Sequence, residues 1–177
     1  MLKKIFVLSF VTLFLFACTS GVKRQKQDLQ SNEPSFKTEK ISDISISLTK
    51  EAKEKLADNL KFNQEELLDH VRRALDARDI IDTTEGAVHP SIEIVVSDIR
   101  VRSNFSAVMW GFMAGNDSIT GDIVIKDPNG EVLDSFEVSV AYALGGLAGG
   151  QDDARMGWLY ESFAEETLKE LHKHKSN

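Results

Sequence analysis

Cys18 is the only cysteine among 177 residues, and the histidines are His70, His89, His172 and His174. A thiolate can act as a nucleophile or metal ligand, and an imidazole as a base or ligand. The spacing supports neither use. None of the four histidines stands at metal-ligand spacing from a partner carboxylate. His172 and His174 are two apart near the C-terminus, where adventitious metal binding is the most to be expected. The carboxylate pairs Asp152–Asp153 and Glu165–Glu166 are adjacent, so on a helix their side chains diverge instead of sharing a proton. Neither a Gly-x-Ser-x-Gly elbow nor a His-Glu-x-x-His helix occurs. The expectation is a protein that is not an enzyme and has no cofactor and no metal, with an unrecognised periplasmic hydrolase as the remaining alternative.

The position of Cys18 carries more information than its reactivity. Lys3 and Lys4 precede an apolar run from Ile5 to Phe16 that is polar only at Ser9 and Thr12. As a helix this run is about 18 Å long, short of the ~30 Å hydrocarbon core of a bilayer. That is the form of a cleavable leader rather than a permanent span. Leu15-Phe16-Ala17-Cys18 resembles the bacterial lipoprotein box, with Phe16 bulkier than usual at its position. The resemblance implies cleavage before Cys18 and acylation of its thiol and new amine. The alternative is a plain secretory leader with an incidental cysteine. Thr19, in place of an aspartate after the cysteine, points to the outer membrane under enterobacteria-like sorting. Several acyl chains anchor stably, at roughly 0.8 kcal/mol per buried CH₂.

Apolar residues make up 42% and charged residues 28% of the chain, close to globular averages, which excludes collagen-like and polytopic membrane classes. A net charge of −7 argues against a nucleic-acid partner. The length suits one domain.

The segment 18–40 contains Val22, Leu29 and Phe36 as its large apolar residues and is rich in Lys, Gln, Ser and Glu. It cannot bury enough area to offset its ordering entropy, so it reads as a flexible tether with a reach of roughly 25 Å. Residues 41–177 read as a single domain. Ile44, Ile46 and Leu48 alternate with Ser45 and Ser47 as a strand, and Lys50 to Asn59 as a helical turn or two. Asn63 and Glu66 suit a capping box, with Phe62 and Leu67 as its hydrophobic staple, for a helix to about Asp79. Ile92, Ile94 and Val96 mark a strand after Pro90. Ser118–Lys126 and a strand from Glu131 form a hairpin across Asp127-Pro128-Asn129-Gly130. Met156, Leu159, Tyr160, Phe163, Thr167, Leu168 and Leu171 stripe a C-terminal helix capped by Asp152 or Asp153. The expected fold is α+β: a mostly antiparallel four- to five-stranded sheet with two helices packed on one face and a polar face toward water.

Two segments stand apart. Residues 105–115, FSAVMWGFMAG, are polar only at Ser106. They suit a strand buried on both faces, a short helix or loop over one end of the sheet, or an exposed patch. In the last case Trp110, Phe112 and Met113 would meet a partner or bilayer. Residues 144–151, LGGLAGGQ, lack the Lys and Ser/Thr of a phosphate loop, and Asp152 and Asp153 would repel an anion. Gly145, Gly146, Gly149 and Gly150 therefore read as a pliable hinge. Arg78, Asp79, Asp98, Arg100 and Arg102 read as charged clusters that form solvated faces and salt bridges rather than a catalytic group.

From about Phe62 onward the order of features resembles domain-of-unknown-function family 4410 of short Gram-negative envelope lipoproteins. The resemblance rests on Gly111-Phe112-Met113-Ala114-Gly115, the strands around Asp127-Pro128-Asn129-Gly130, and Gly145-Gly146 or Gly149-Gly150 before the terminal helix. Val108 and Met109 stand where the family usually has a basic residue, so no basic contact carries over. The resemblance implies location and fold rather than an activity. The expected function is a non-enzymatic binding or assembly module, lipid-anchored through Cys18 at the outer membrane and facing the periplasm. Its partners would be the membrane and another envelope protein, with room for a homo-oligomer. A subunit of an envelope transport or secretion complex is the alternative.

Overall fold

A computed structural model describes residues 18–23, 40–57, 61–102, 115–142 and 152–173. In chain order the elements are β1 (Cys18–Lys23), β2 (Asp43–Leu48), α1 (Lys50–Leu56), α2 (Gln64–Asp76), β3 (Ser91–Arg100), β4 (Asp117–Lys126), β5 (Val132–Tyr142) and α3 (Asp152–Lys173). The strands form one sheet in the order β1-β5-β4-β3-β2. Strands β3, β4 and β5 pair antiparallel, as does β1 on the outer edge of β5.

The fold is α+β, with three differences from the sequence reading. First, β2 runs parallel to β3, so the sheet is mixed. A parallel pair needs a long crossover, and α1 with α2 supplies it. Second, the described residues contain three helices rather than two, because Lys50–Leu56 is a helix of its own. The Thr49 side chain caps it, accepting from the Ala52 N–H at 3.1 Å. Third, residues 18–23 of the expected tether form β1, from Cys18 opposite Tyr142 to Lys23 opposite Glu137. Ladder hydrogen bonds along β5 order a segment whose composition carries no signal of its own. Residues 24–39 lie outside the described residues.

Strand alternation builds the core. Ile92, Ile94 and Val96 of β3, Ile119, Ile123 and Ile125 of β4, and Phe136, Val138 and Val140 of β5 are buried on the helix-covered face. Each such side chain contributes roughly 1.5–3 kcal/mol relative to exposure. A bulge between Val96 and Asp98 inserts one residue, which turns the odd-numbered Ile99 inward opposite Ile119. At Gly121 an added Cβ would lie 3.2 Å from the Val95 carbonyl oxygen and 3.4 Å from the Phe163 ring. The missing side chain lets Phe163 of α3 lie close on the strand.

Asn63 caps α2, its side-chain oxygen accepting from the Glu65 and Glu66 N–H groups. Asn63's own N–H donates to the Tyr160 hydroxyl at 2.7 Å, which ties the start of α2 to α3. Tyr160 is fully buried, edge-on to Phe62, and burial pushes its hydroxyl up to about 12. The opposite sheet face is polar: Thr120 and Ser139 share a 2.9 Å hydroxyl contact, and Glu93 accepts from Lys126 and Ser47.

Candidate functional site

One end of the sheet gathers four chain positions that are far apart in sequence. Arg102 follows β3, Asp117 opens β4, Tyr142 closes β5, and Arg155 lies in the first turn of α3. Register places Asp117 opposite Tyr142, and Tyr142 opposite Cys18 at the start of β1. The alternation that puts Ile119 in the core also turns Asp117 inward, where its side chain is fully buried. A buried carboxylate is tolerated only when its oxygens are paired and hydrogen-bonded.

Asp117 meets that condition. Its Oδ1 accepts from the Arg102 N–H at 2.7 Å and from Arg102 Nε at 3.2 Å. Its Oδ2 accepts from Arg102 Nη2 and from Arg155 Nη1, each at 3.0 Å. The guanidinium groups reach outward from there. Arg102 Nη1 donates to the Gly115 carbonyl at 2.7 Å and Nη2 to the Tyr142 carbonyl at 3.3 Å. Arg155 Nη2 donates to the Arg102 carbonyl at 3.3 Å. The result is a buried clamp that fixes both flanks of residues 103–114 and joins them to the end of β5 and the start of α3. Gly115 is required beside it. It has φ of +85°, and an added Cβ would lie 2.6 Å from Arg100 Nη2.

Next to the clamp, β1 and α3 leave a cleft of about 160 Å³. Ser20, Tyr142, Trp158, Ser162, Glu166 and Lys169 are among its walls. Ser20 donates to Glu166 Oε1 at 2.9 Å, and Lys169 donates to the same oxygen at 2.8 Å. That bond holds the Lys169 ammonium above its ordinary range. Trp158 is 56% exposed over this cleft.

The arrangement is suited to holding chain segments rather than to proton transfer. Asp117 faces four donors, and a general base needs a free lone pair within reach of its proton. Neither His70 nor His89 bonds the clamp. His70 packs on Tyr160, and burial, then Arg73, lowers its proton affinity. His89 Nε2 lies 3.0 Å from Asp82 Oδ2, and Thr84 bonds hold Asp82 down at about 2. Among the described residues no three His, Cys, Asp or Glu side chains gather as metal ligands.

Of the residues singled out in the sequence, Cys18 stands at the start of β1. Trp110, Phe112 and Met113, and likewise Gly145, Gly146, Gly149 and Gly150, lie outside the described residues. The clamp holds the flanks of the first group, and Tyr142 and Asp152 flank the second. Arg102 does form a salt bridge, with Asp117, but the pair is buried rather than on a solvated face. Asp98 does form a surface pair, with Lys55, and Lys40 bonds Asp79. Sequence reasoning missed Asp117 and Arg155. The signal available was Asp117 in phase with the inward positions Ile119, Gly121 and Ile123.

The profile of a family described as Domain of unknown function (DUF4410) matches residues 22–146. The chain belongs to this family. Arg102, Gly115, Asp117 and Tyr142 lie inside the DUF4410 match, and Cys18 and Arg155 lie outside it. No curated protein matches the chain in sequence. Among solved structures it is similar to a PelC dodecamer from Paraburkholderia phytofirmans carrying one leucine-to-methionine substitution. That likeness has a TM-score of 0.49 and 13% identity, over 86% of this chain and 98% of the other. A second PelC dodecamer from the same organism gives a TM-score of 0.44 and 11% identity, over 82% and 94%.

Proposed function

We propose that the protein is a non-enzymatic binding or assembly module of the bacterial cell envelope. In this reading it is acylated at Cys18 and held at the outer membrane, facing the periplasm. The leader and the Leu15-Phe16-Ala17-Cys18 box support the anchor. The observation that carries the rest is positional: Cys18 begins a strand paired to Tyr142, at the end of the sheet where the clamp holds the flanks of residues 103–114. The anchor therefore joins the fold directly instead of through a long tether. Arg102 and Gly115, the described residues on either side of the apolar sequence, both stand at the anchored end.

Photo-crosslinking from position 110 in intact cells, read by mass spectrometry, tests this, with Cys18→Ser as the unanchored control. The expected result is one protein adduct that disappears in the control. Intramolecular adducts alone, unchanged in the control, would overturn the assembly reading.

A further inference from the structure

We propose that Trp158 lies in the headgroup layer of the bilayer that receives the acyl chains, making the corner between α3 and β1 a membrane-contacting surface. This rests on the reading of Cys18 as acylated. Three large hydrophobic side chains are exposed among the described residues: Val88, Val132 and Trp158. Val132 begins β5 at the end of the sheet away from Cys18, and Val88 lies three residues before the start of β3, at that same far end. Trp158 is at the anchored end. It shares a cleft with Ser20 of β1 and with Tyr142, the residue that pairs with Cys18.

Ser20 stands two residue steps along the strand from Cys18, roughly 7 Å. The headgroup layer is about 5–8 Å deep on each side of the hydrocarbon core. An acylated Cys18 at the membrane surface therefore brings the cleft beside Ser20 to headgroup depth. Indole suits that depth, because its ring is apolar and its N–H needs a polar partner. Of the two acidic side chains in the cleft wall, Glu165 and Glu166, Glu166 is already bonded by Ser20 and Lys169, which lowers its cost of approaching a lipid surface.

The test uses the full acylated chain carrying Trp110→Phe, so that emission reports Trp158. It is reconstituted in phosphatidylethanolamine–phosphatidylglycerol vesicles with or without brominated acyl chains. The expected result is severalfold quenching by the brominated lipid and a matching loss of acrylamide access. The Cys18→Ser, Trp110→Phe form should keep full acrylamide access. Trp158 that stays open to acrylamide in a chain shown by intact mass to be acylated would overturn the proposal and leave the anchor standing. So would Trp158 that is already shielded from acrylamide in the Cys18→Ser, Trp110→Phe form without lipid or detergent, since a second copy or residues of the same chain would then cover it. An intact mass showing unmodified Cys18 would overturn the proposal together with the anchor reading.

Discussion

The two ends of the sheet are closed by different chemistry. At the hairpin end the Asp127 carboxylate accepts from the Asn129 N–H at 2.9 Å and the Glu131 N–H at 2.8 Å, and Gly130 takes φ of +88°. Each of these contacts spans four residues or fewer. At the anchored end, Asp117, Arg102, Tyr142 and Arg155 are joined by bonds that span 15 to 53 residues. The first end can form as soon as its strands meet. The second exists only once β3, β4, β5 and α3 are all in place. A local turn sets register, whereas a long-range buried clamp positions segments that local sequence leaves undetermined.

The largest effect should come from Asp117. Removing one member of a buried ion cluster leaves uncompensated charge, at a cost of about 3–5 kcal/mol. Asp117→Ala should therefore lower stability by that amount in urea unfolding. Amide exchange should speed up at Arg102, Gly115 and the first turn of α3 before it does at the Asp127 turn. Uniform loosening of both ends would break the comparison, because the clamp would then be one core contact among many.

Legibility divides along the same line. The Asn63 cap, the Asp127-Pro128-Asn129-Gly130 turn, the inward rows of β3 to β5 and the stripe of α3 could all be read from the sequence. Each follows from residue type at a fixed short spacing. The parallel pairing of β2 was legible in principle, since a strand, a helical stretch and a strand in that order suit a crossover unit. Strand β1 was not legible. Its Thr19, Ser20 and Gly21 carry no apolar alternation, and the open edge of β5 supplies its order. The burial of the Arg102 pair was not legible, because a charged residue at a strand end is usually solvated and its partner lies fifteen positions away.

The middle-sized effect sharpens the other half of the comparison. Gly130→Ala places a Cβ on a residue with positive φ, at a cost of about 1 kcal/mol. Urea unfolding should show that loss with an unchanged m-value, and amide exchange should rise only around residues 126–132. A cost as large as that of Asp117→Ala would mean that the turn, and not the clamp, governs the sheet.

The smallest effect lies between the two ends, on the polar face. Asp122 sits directly opposite Glu137, and burial, then the Glu137 charge, raises its proton affinity above the ordinary 3.8. In the window from 3.8 up to that raised value, the folded chain holds a proton that the unfolded chain has released. Stability therefore falls as pH rises through the window, and the cost of the buried charge and its like-charged neighbour is fully present at neutral pH. Asp122→Asn should raise the unfolding midpoint at pH 7, and the gain should vanish below pH 3.8. Added salt screens the Glu137 charge and should shrink that share of the gain at pH 7. A gain that persists unchanged at acid pH would assign the effect to packing against Val95, the β3 residue paired with Asp122, instead of to charge.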